Sequence, residues 1–169
     1  HVLSKNLTDT NYEVISKLIF EYFTTDFSDE YGNLLHYACY GKSLKMVKEL
    51  VEKGLDIDQP NFFGNTPFLV ACTDSSTTVL RYLVEKGIDI FTKNHEGENA
   101  LHNAVRGSNI ENLTYLLSLG LDIEARDNYG FTPYLNAVMW QEDIELADTF
   151  FDTLKEAGAD FNARDNEGN

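Results

Sequence analysis

"FGNTPFLVACTDSSTTVLRYLVEKGIDI", Phe63 to Ile90, decides the fold. It opens on a glycine and a Thr-Pro pair, runs through a short apolar stretch and an amphipathic one, and closes on Gly87 with Asp89 two residues later. A hydroxyl followed by proline starts a helix: Thr66 can accept a backbone N–H, and Pro67 sits where a missing N–H costs nothing. "LVEKG" stops one, because glycine takes the positive φ of the C′ position cheaply. Such a stretch describes two short helices whose apolar faces need neighbours.

The neighbours lie on either side. "YGNLLHYACYGKSLKMVKELVEKGLDID" precedes the stretch; "EGENALHNAVRGSNIENLTYLLSLGLDIEARD" and "YGFTPYLNAVMWQEDIELADTFFDTLKEAGADFNARD" follow it. The opening glycines Gly32, Gly64, Gly97 and Gly130 are spaced 32, 33 and 33; the closing glycines Gly54, Gly87, Gly120 and Gly158 are spaced 33, 33 and 38. A fixed period of this size marks a stacked-repeat architecture. Asn33 and Asn99 can replace threonine as caps, and Thr132 with Pro133 repeats the Thr-Pro start. Ala38, Ala71, Ala104 and Ala137 recur where a neighbouring helix could approach closely. Leu44, Val47, Leu50 and Val51, and again Ile110, Leu113, Leu116 and Leu117, follow the 3.6-residue period of a second helix. Asp56, Asp89, Asp122 and Asp160 come two residues after the closing glycines, suited to accept backbone N–H bonds in a turn.

Glycine, Thr-Pro, Leu-His, alanine, paired leucines and Gly-Ala-Asp, recurring in that order, resemble the ankyrin repeat over Asp29 to Asn169. The resemblance implies an all-α solenoid of helix-turn-helix pairs joined by hairpin-like loops. It divides the chain into an N-terminal capping helix or degenerate repeat (1–28), repeats at 29–60, 61–93 and 94–126, a repeat with an insertion (127–164), and the start of a further one (165–169). The leading segment "NYEVISKLIFEYF", Asn11 to Phe23, carries the second-helix pattern, and "DNEGN" at the other end fits an array continued in a longer parent chain. Thr-Pro occurs in the second and fourth units. His36 and His102 occur in the first and third, where the resemblance implies that they tie neighbouring repeats by hydrogen bonds; Leu69 and Leu135 replace them elsewhere. The first unit lacks one residue near Gly32.

Composition narrows the function. With 43% hydrophobic and 24% charged residues the chain is of the folded, globular kind. No apolar run approaches the roughly 18 residues of a membrane span. The net charge is −15, with 13 scattered Lys and Arg, so binding to nucleic acid, which depends on cations at phosphates, is not expected. An acidic surface suits a basic partner or simple solubility. Two cysteines are too few for a disulfide framework. Cys39 and Cys72 fall at one position of consecutive units, on helices expected about 8–10 Å apart, beyond ordinary disulfide reach; unbridged core thiols fit a reducing cytoplasm.

The chemical motifs are fragments. Gly41-Lys42-Ser43 matches the tail of a phosphate loop, but His36 stands where its first glycine belongs. His95 and His102, with Glu96 and Glu98, lack metal-ligand spacing. Asp56 and Asp58, and Glu142, Asp143 and Glu145, lack the frame of a calcium loop. No histidine is placed to activate either cysteine. No catalytic residue, metal or cofactor is therefore expected, and the chain is read as a non-enzyme.

In ankyrin-like units the residues flanking the opening glycine form projecting fingers, and those ending the first helix line the concave face, where the family's partners usually bind. Large apolar residues collect at those positions here: Tyr31, Tyr40, Phe62, Phe63, Tyr129, Phe131, Met139 and Trp140. Aromatics dominate interface hot spots. In the fourth unit the two glycines stand 28 apart, against 23 in the second and third. The extra residues are expected to lengthen the second helix by about one and a half turns, pushing "MWQED" outward and placing Trp140 as an interface anchor. The expected function is a non-catalytic module, a monomer, that binds a protein partner of basic character through its concave face and loop tips. The alternative is a regulatory or targeting arm of a larger enzyme or effector. A polyanion mimic would instead bind in a way that collapses with salt.

Overall fold

The computed structural model describes residues 27–74, 76–140 and 144–169. The leading segment Asn11 to Phe23, and Gln141 to Asp143, lie outside them. The described chain starts with a small antiparallel hairpin, β1 (Ser28–Asp29) and β2 (Gly32–Asn33). Four helix pairs follow: α1 (Leu34–Tyr40) with α2 (Leu44–Glu52), α3 (Pro67–Asp74) with α4 (Thr77–Glu85), α5 (Ala100–Arg106) with α6 (Ile110–Ser118), and α7 (Pro133–Trp140) with α8 (Ile144–Glu156). First helices stack on first helices and second on second, so the array is two layers thick. Its core runs unbroken between them through fully buried Leu35, Leu50, Phe68, Leu80, Leu101, Leu113, Leu116, Phe150 and Leu154. Each such side chain contributes about 1.5–3 kcal/mol relative to exposure. Ala38, Ala71, Ala104 and Ala137 are also fully buried, which lets the first helices pack closely.

Two chemistries start the first helices. In α3 and α7 the Thr66 and Thr132 hydroxyls accept the N–H groups of Leu69 and Leu135 at 3.4 and 3.3 Å, and proline takes the first helical position. In α1 and α5 the cap is Asn33 or Asn99, whose side-chain oxygen accepts two backbone N–H groups, Leu35 and His36 or Leu101 and His102. Nδ1 of His36 and of His102 accepts the cap residue's own N–H in return, at 3.2 and 3.3 Å. The opposite ring nitrogen, Nε2, donates to a carbonyl of the next unit: Asn65 at 3.0 Å for His36 and Phe131 at 2.9 Å for His102. The histidines tie neighbouring units as expected. Burial pushes both imidazoles toward the neutral form, which this pattern of one donor and one acceptor requires.

Gly54, Gly87, Gly120 and Gly158 close the second helices with φ between +75° and +97°. The side chains of Asp56, Asp89, Asp122 and Asp160 accept the N–H two residues on at 2.9–3.0 Å. The residue missing from the first unit is the one between glycine and cap. Gly32 is followed directly by the cap Asn33, whereas Asn65, Glu98 and Phe131 separate Gly64, Gly97 and Gly130 from their caps. Asn33 is therefore the counterpart of Thr66 and not of Asn65. The insertion in the fourth unit goes mostly into α8, which has 13 residues where α2, α4 and α6 have nine. Four extra residues make a little over one turn, less than the one and a half expected.

The fingers are built by a signal the repeat pattern left unused: an Asp or Asn three residues before each opening glycine. Asp29, Asn61, Asn94, Asp127 and Asp165 each accept backbone N–H groups of their own finger at 2.8–3.2 Å. A backbone ladder then joins each finger to the one before. The N–H groups of Phe62, His95, Asn128 and Asn166 donate to the carbonyls of Glu30, Phe63, Glu96 and Tyr129, at 3.2, 3.0, 2.9 and 3.0 Å.

Candidate functional site

Under the fingers, across the first three units, lies a cleft with a volume of about 540 Å³. Its wall is set by the repeat. Tyr37, Val70 and Asn103 occupy one position of α1, α3 and α5, and Tyr40, Thr73 and Arg106 occupy another, one turn later. Tyr31, Asn61, Phe63 and Asn65 line it from the fingers, and His36 from the start of α1.

Three of the eight aromatic and apolar positions expected to bind a partner, Tyr31, Tyr40 and Phe63, are brought together here. The Tyr31 and Phe63 rings are 6.1 Å apart between centroids. Phe62 stands edge-on to Phe63 at 5.5 Å and is 72% exposed. Tyr129 and Met139 are exposed as well, and Phe131 is half-buried, but these three belong to the fourth unit and do not line the cleft. Trp140 ends α7, and its side chain lies outside the described residues, so the anchor expected there is neither placed nor displaced. Tyr37 is a lining aromatic absent from the expected set. Its signal was present in "LHYACY", where Tyr37 and Tyr40 are three apart on one helix face.

The electrostatics are lopsided. Among the described residues Arg106 is the one Lys or Arg in the lining, and it is already engaged: 2.9 Å from Glu98, 3.9 Å from Glu96, and donating to the Asn103 side chain at 2.8 Å. Glu98 is itself buried and accepts from Asn94 at 2.7 Å. At the aromatic end the Tyr37 hydroxyl donates to Asp29 Oδ2 at 2.6 Å. Burial, followed by that carboxylate bond, pushes the Tyr37 hydroxyl well above the usual phenol range. The charge of Glu30 raises that of Tyr31.

Other motifs are used up in structure. Gly41, Lys42 and Ser43 join α1 to α2, with Ser43 capping α2 at 3.3 Å. Cys39 and Cys72 are buried and unbridged, and burial raises both thiols well above their ordinary range. Among the described residues no three His, Cys, Asp or Glu side chains gather as a metal site, and no helix is long and apolar enough to cross a membrane.

The family model for ankyrin repeats, three copies, matches residues 4–94, so it takes in the leading segment as well as the first two units. No curated protein matches the chain. Among solved structures, the crystal structure of EF0377, an ankyrin repeat protein, is similar over 95% of this chain and 83% of its own, with a TM-score of 0.78 and 27% identity. With that match, the two-layer stack and the finger ladder in agreement, the chain belongs to the ankyrin-repeat family, whose arrays are generally protein–protein interaction modules.

Proposed function

We propose that this chain is a non-catalytic, monomeric module that binds a basic protein partner through its concave face and finger tips. Tyr31, Tyr40 and Phe63 form the centre of the contact, and Phe62, Tyr129, Phe131, Met139 and Trp140 extend it along the fingers and the fourth unit. One observation carries the reading: an open cleft walled by aromatic rings that the core does not use, with Phe63 44% and Tyr31 56% exposed. The core of the array is closed without them, so their burial is available to a partner. The net charge of −15 favours the approach of a basic surface.

The test is capture of partners from a lysate of the source organism or its host. Wild type is compared with Phe63→Ala and with Phe63→Ala/Trp140→Ala, at low and at about physiological salt. A retained partner should weaken by about 1–3 kcal/mol for each aromatic removed, that is about 5- to 150-fold, with the melting temperature unchanged. A partner held equally by wild type and folded double mutant would place the contact elsewhere. Binding lost at moderate salt but indifferent to the aromatics would favour the polyanion-mimic alternative.

A further inference from the structure

We propose that the aromatic end of the cleft receives an arginine side chain from a basic segment of the partner, which stacks on the rings of Tyr31, Tyr40 and Phe63 while its guanidinium faces the carboxylate of Asp29. This rests on the reading of the cleft as a protein-binding face, and specifies what that face selects.

The geometry is that of a cation receptor. Aromatic faces carry the negative part of the ring quadrupole and attract a cation within about 6 Å of a centroid. Four rings line this end, with Tyr37 the fourth, and Tyr31 and Phe63 stand 6.1 Å apart with planes tilted by 41°. Asp29 is fixed beside them: one carboxylate oxygen takes the Tyr37 hydroxyl at 2.6 Å, and the other takes the N–H of Tyr31 at 2.9 Å. A held carboxylate beside ring faces can stabilise an arriving charge without first reorganising. The charge of Glu30 raises the Tyr31 hydroxyl, in keeping with negative surroundings at this end.

Other ligand classes fit less well. An anion would meet ring faces at one end, with the Asp29 carboxylate bonded to Tyr37 beside them, and at the other an Arg106 already paired with Glu98 at 2.9 Å. A purely apolar side chain would cover the rings but leave the neighbouring charge of Asp29, bonded to Tyr37 at 2.6 Å, without a partner of opposite sign. Between the two basic residues, the planar, weakly hydrated guanidinium stacks better on aromatic faces than an ammonium does. The chain shows this on its own surface: Arg81 lies 4.1 Å from the Tyr115 ring centroid, while Lys48, Lys86 and Lys155 stay 5.3–5.6 Å from theirs.

The experiment is selection of random twelve-residue peptides displayed on phage against wild-type chain, with every winner then measured on the folded Tyr31→Ala/Phe63→Ala variant. Winners are resynthesised with each arginine replaced by citrulline, its neutral isostere, or by lysine. The expected result is enrichment of arginine, an affinity loss of about tenfold on the citrulline exchange, and a smaller loss on the lysine exchange. Asp29→Asn should weaken the arginine peptides and leave their citrulline forms unchanged. Peptides that require Phe63 but carry no enriched arginine, or that bind equally as citrulline forms, overturn this inference and leave the binding face standing. Peptides indifferent to the double variant, or no retained peptide at all, overturn both.

Discussion

Replacing His102 by leucine separates the polar work of this residue from its volume. The position accepts leucine sterically, since Leu69 occupies the same place in α3 and is fully buried. What goes is two hydrogen bonds. The Phe131 carbonyl loses the imidazole donor at 2.9 Å but keeps the Asp127 N–H at 3.0 Å, a loss of about 0.5–1.5 kcal/mol. The Asn99 N–H loses the acceptor it has at 3.3 Å and stays buried, at a cost of about 1–3 kcal/mol. Together these give about 1.5–4.5 kcal/mol, or about 3–18 °C in melting temperature for a chain of this size. The assay is guanidinium unfolding followed by circular dichroism. Because each unit contacts only its neighbours, the loss falls on the junction of the third and fourth units and should split the transition in two. A single variant within about 0.5 kcal/mol of wild type would refute the assignment of these bonds as structural.

Three further outcomes follow from the same geometry. Burial lowers the pKa of His36 and His102, so the folded state favours the neutral ring. Their contribution is complete above the unfolded value of 6.5 and is lost as pH falls below it. The melting-temperature gap between wild type and His36→Gln/His102→Gln should narrow from pH 7.5 to pH 5, and a constant gap would contradict this. Gly107→Ala should destabilise by about 1–3 kcal/mol through crowding alone, because its Cβ would come 2.0 Å from the Thr73 carbonyl oxygen while its φ of −78° suits alanine; unchanged denaturant midpoints would show that the α3–α5 contact yields freely. Cys39 and Cys72 should resist a thiol reagent in native protein and react at the rate of unfolding, as quenched labelling with mass readout would record.

Much of the fold was legible because the period made each local signal count several times. Thr66 with Pro67, Asn99 with His102, and Gly87 with Asp89 each do locally what their chemistry suggests, and repetition removed the ambiguity that a single short helix carries. The finger residues Asn61, Asn94 and Asp127 were equally periodic but stayed unread. Their role is to receive backbone N–H groups across two to four residues, and that needs the turn before it has meaning. The site was legible in part. Tyr31, Tyr40 and Phe63 converge, whereas Tyr129 and Met139 sit on a unit the cleft does not reach. Residue types and register say which side of a unit a side chain takes, but not where along the array a cavity opens. The pairing of Arg106 depends on Glu98 being buried beside it, which no spacing announces.

The finger ladder has a consequence for how such a chain can change. Its rungs are about 3 Å long whether the donor follows its acceptor by 32 residues, as Asn128 follows Glu96, or by 37, as Asn166 follows Tyr129. The lengthened α8 is absorbed on the outer layer before the chain returns to the fingers. Length is thus taken up in the outer helices by several residues, while among the described fingers it varies by one, in the first unit, whose rung still forms at 3.2 Å. Such a molecule can vary its outline by insertion in its outer helices and its choice of partner by substitution along its fingers, and either kind of change can accumulate without undoing the other.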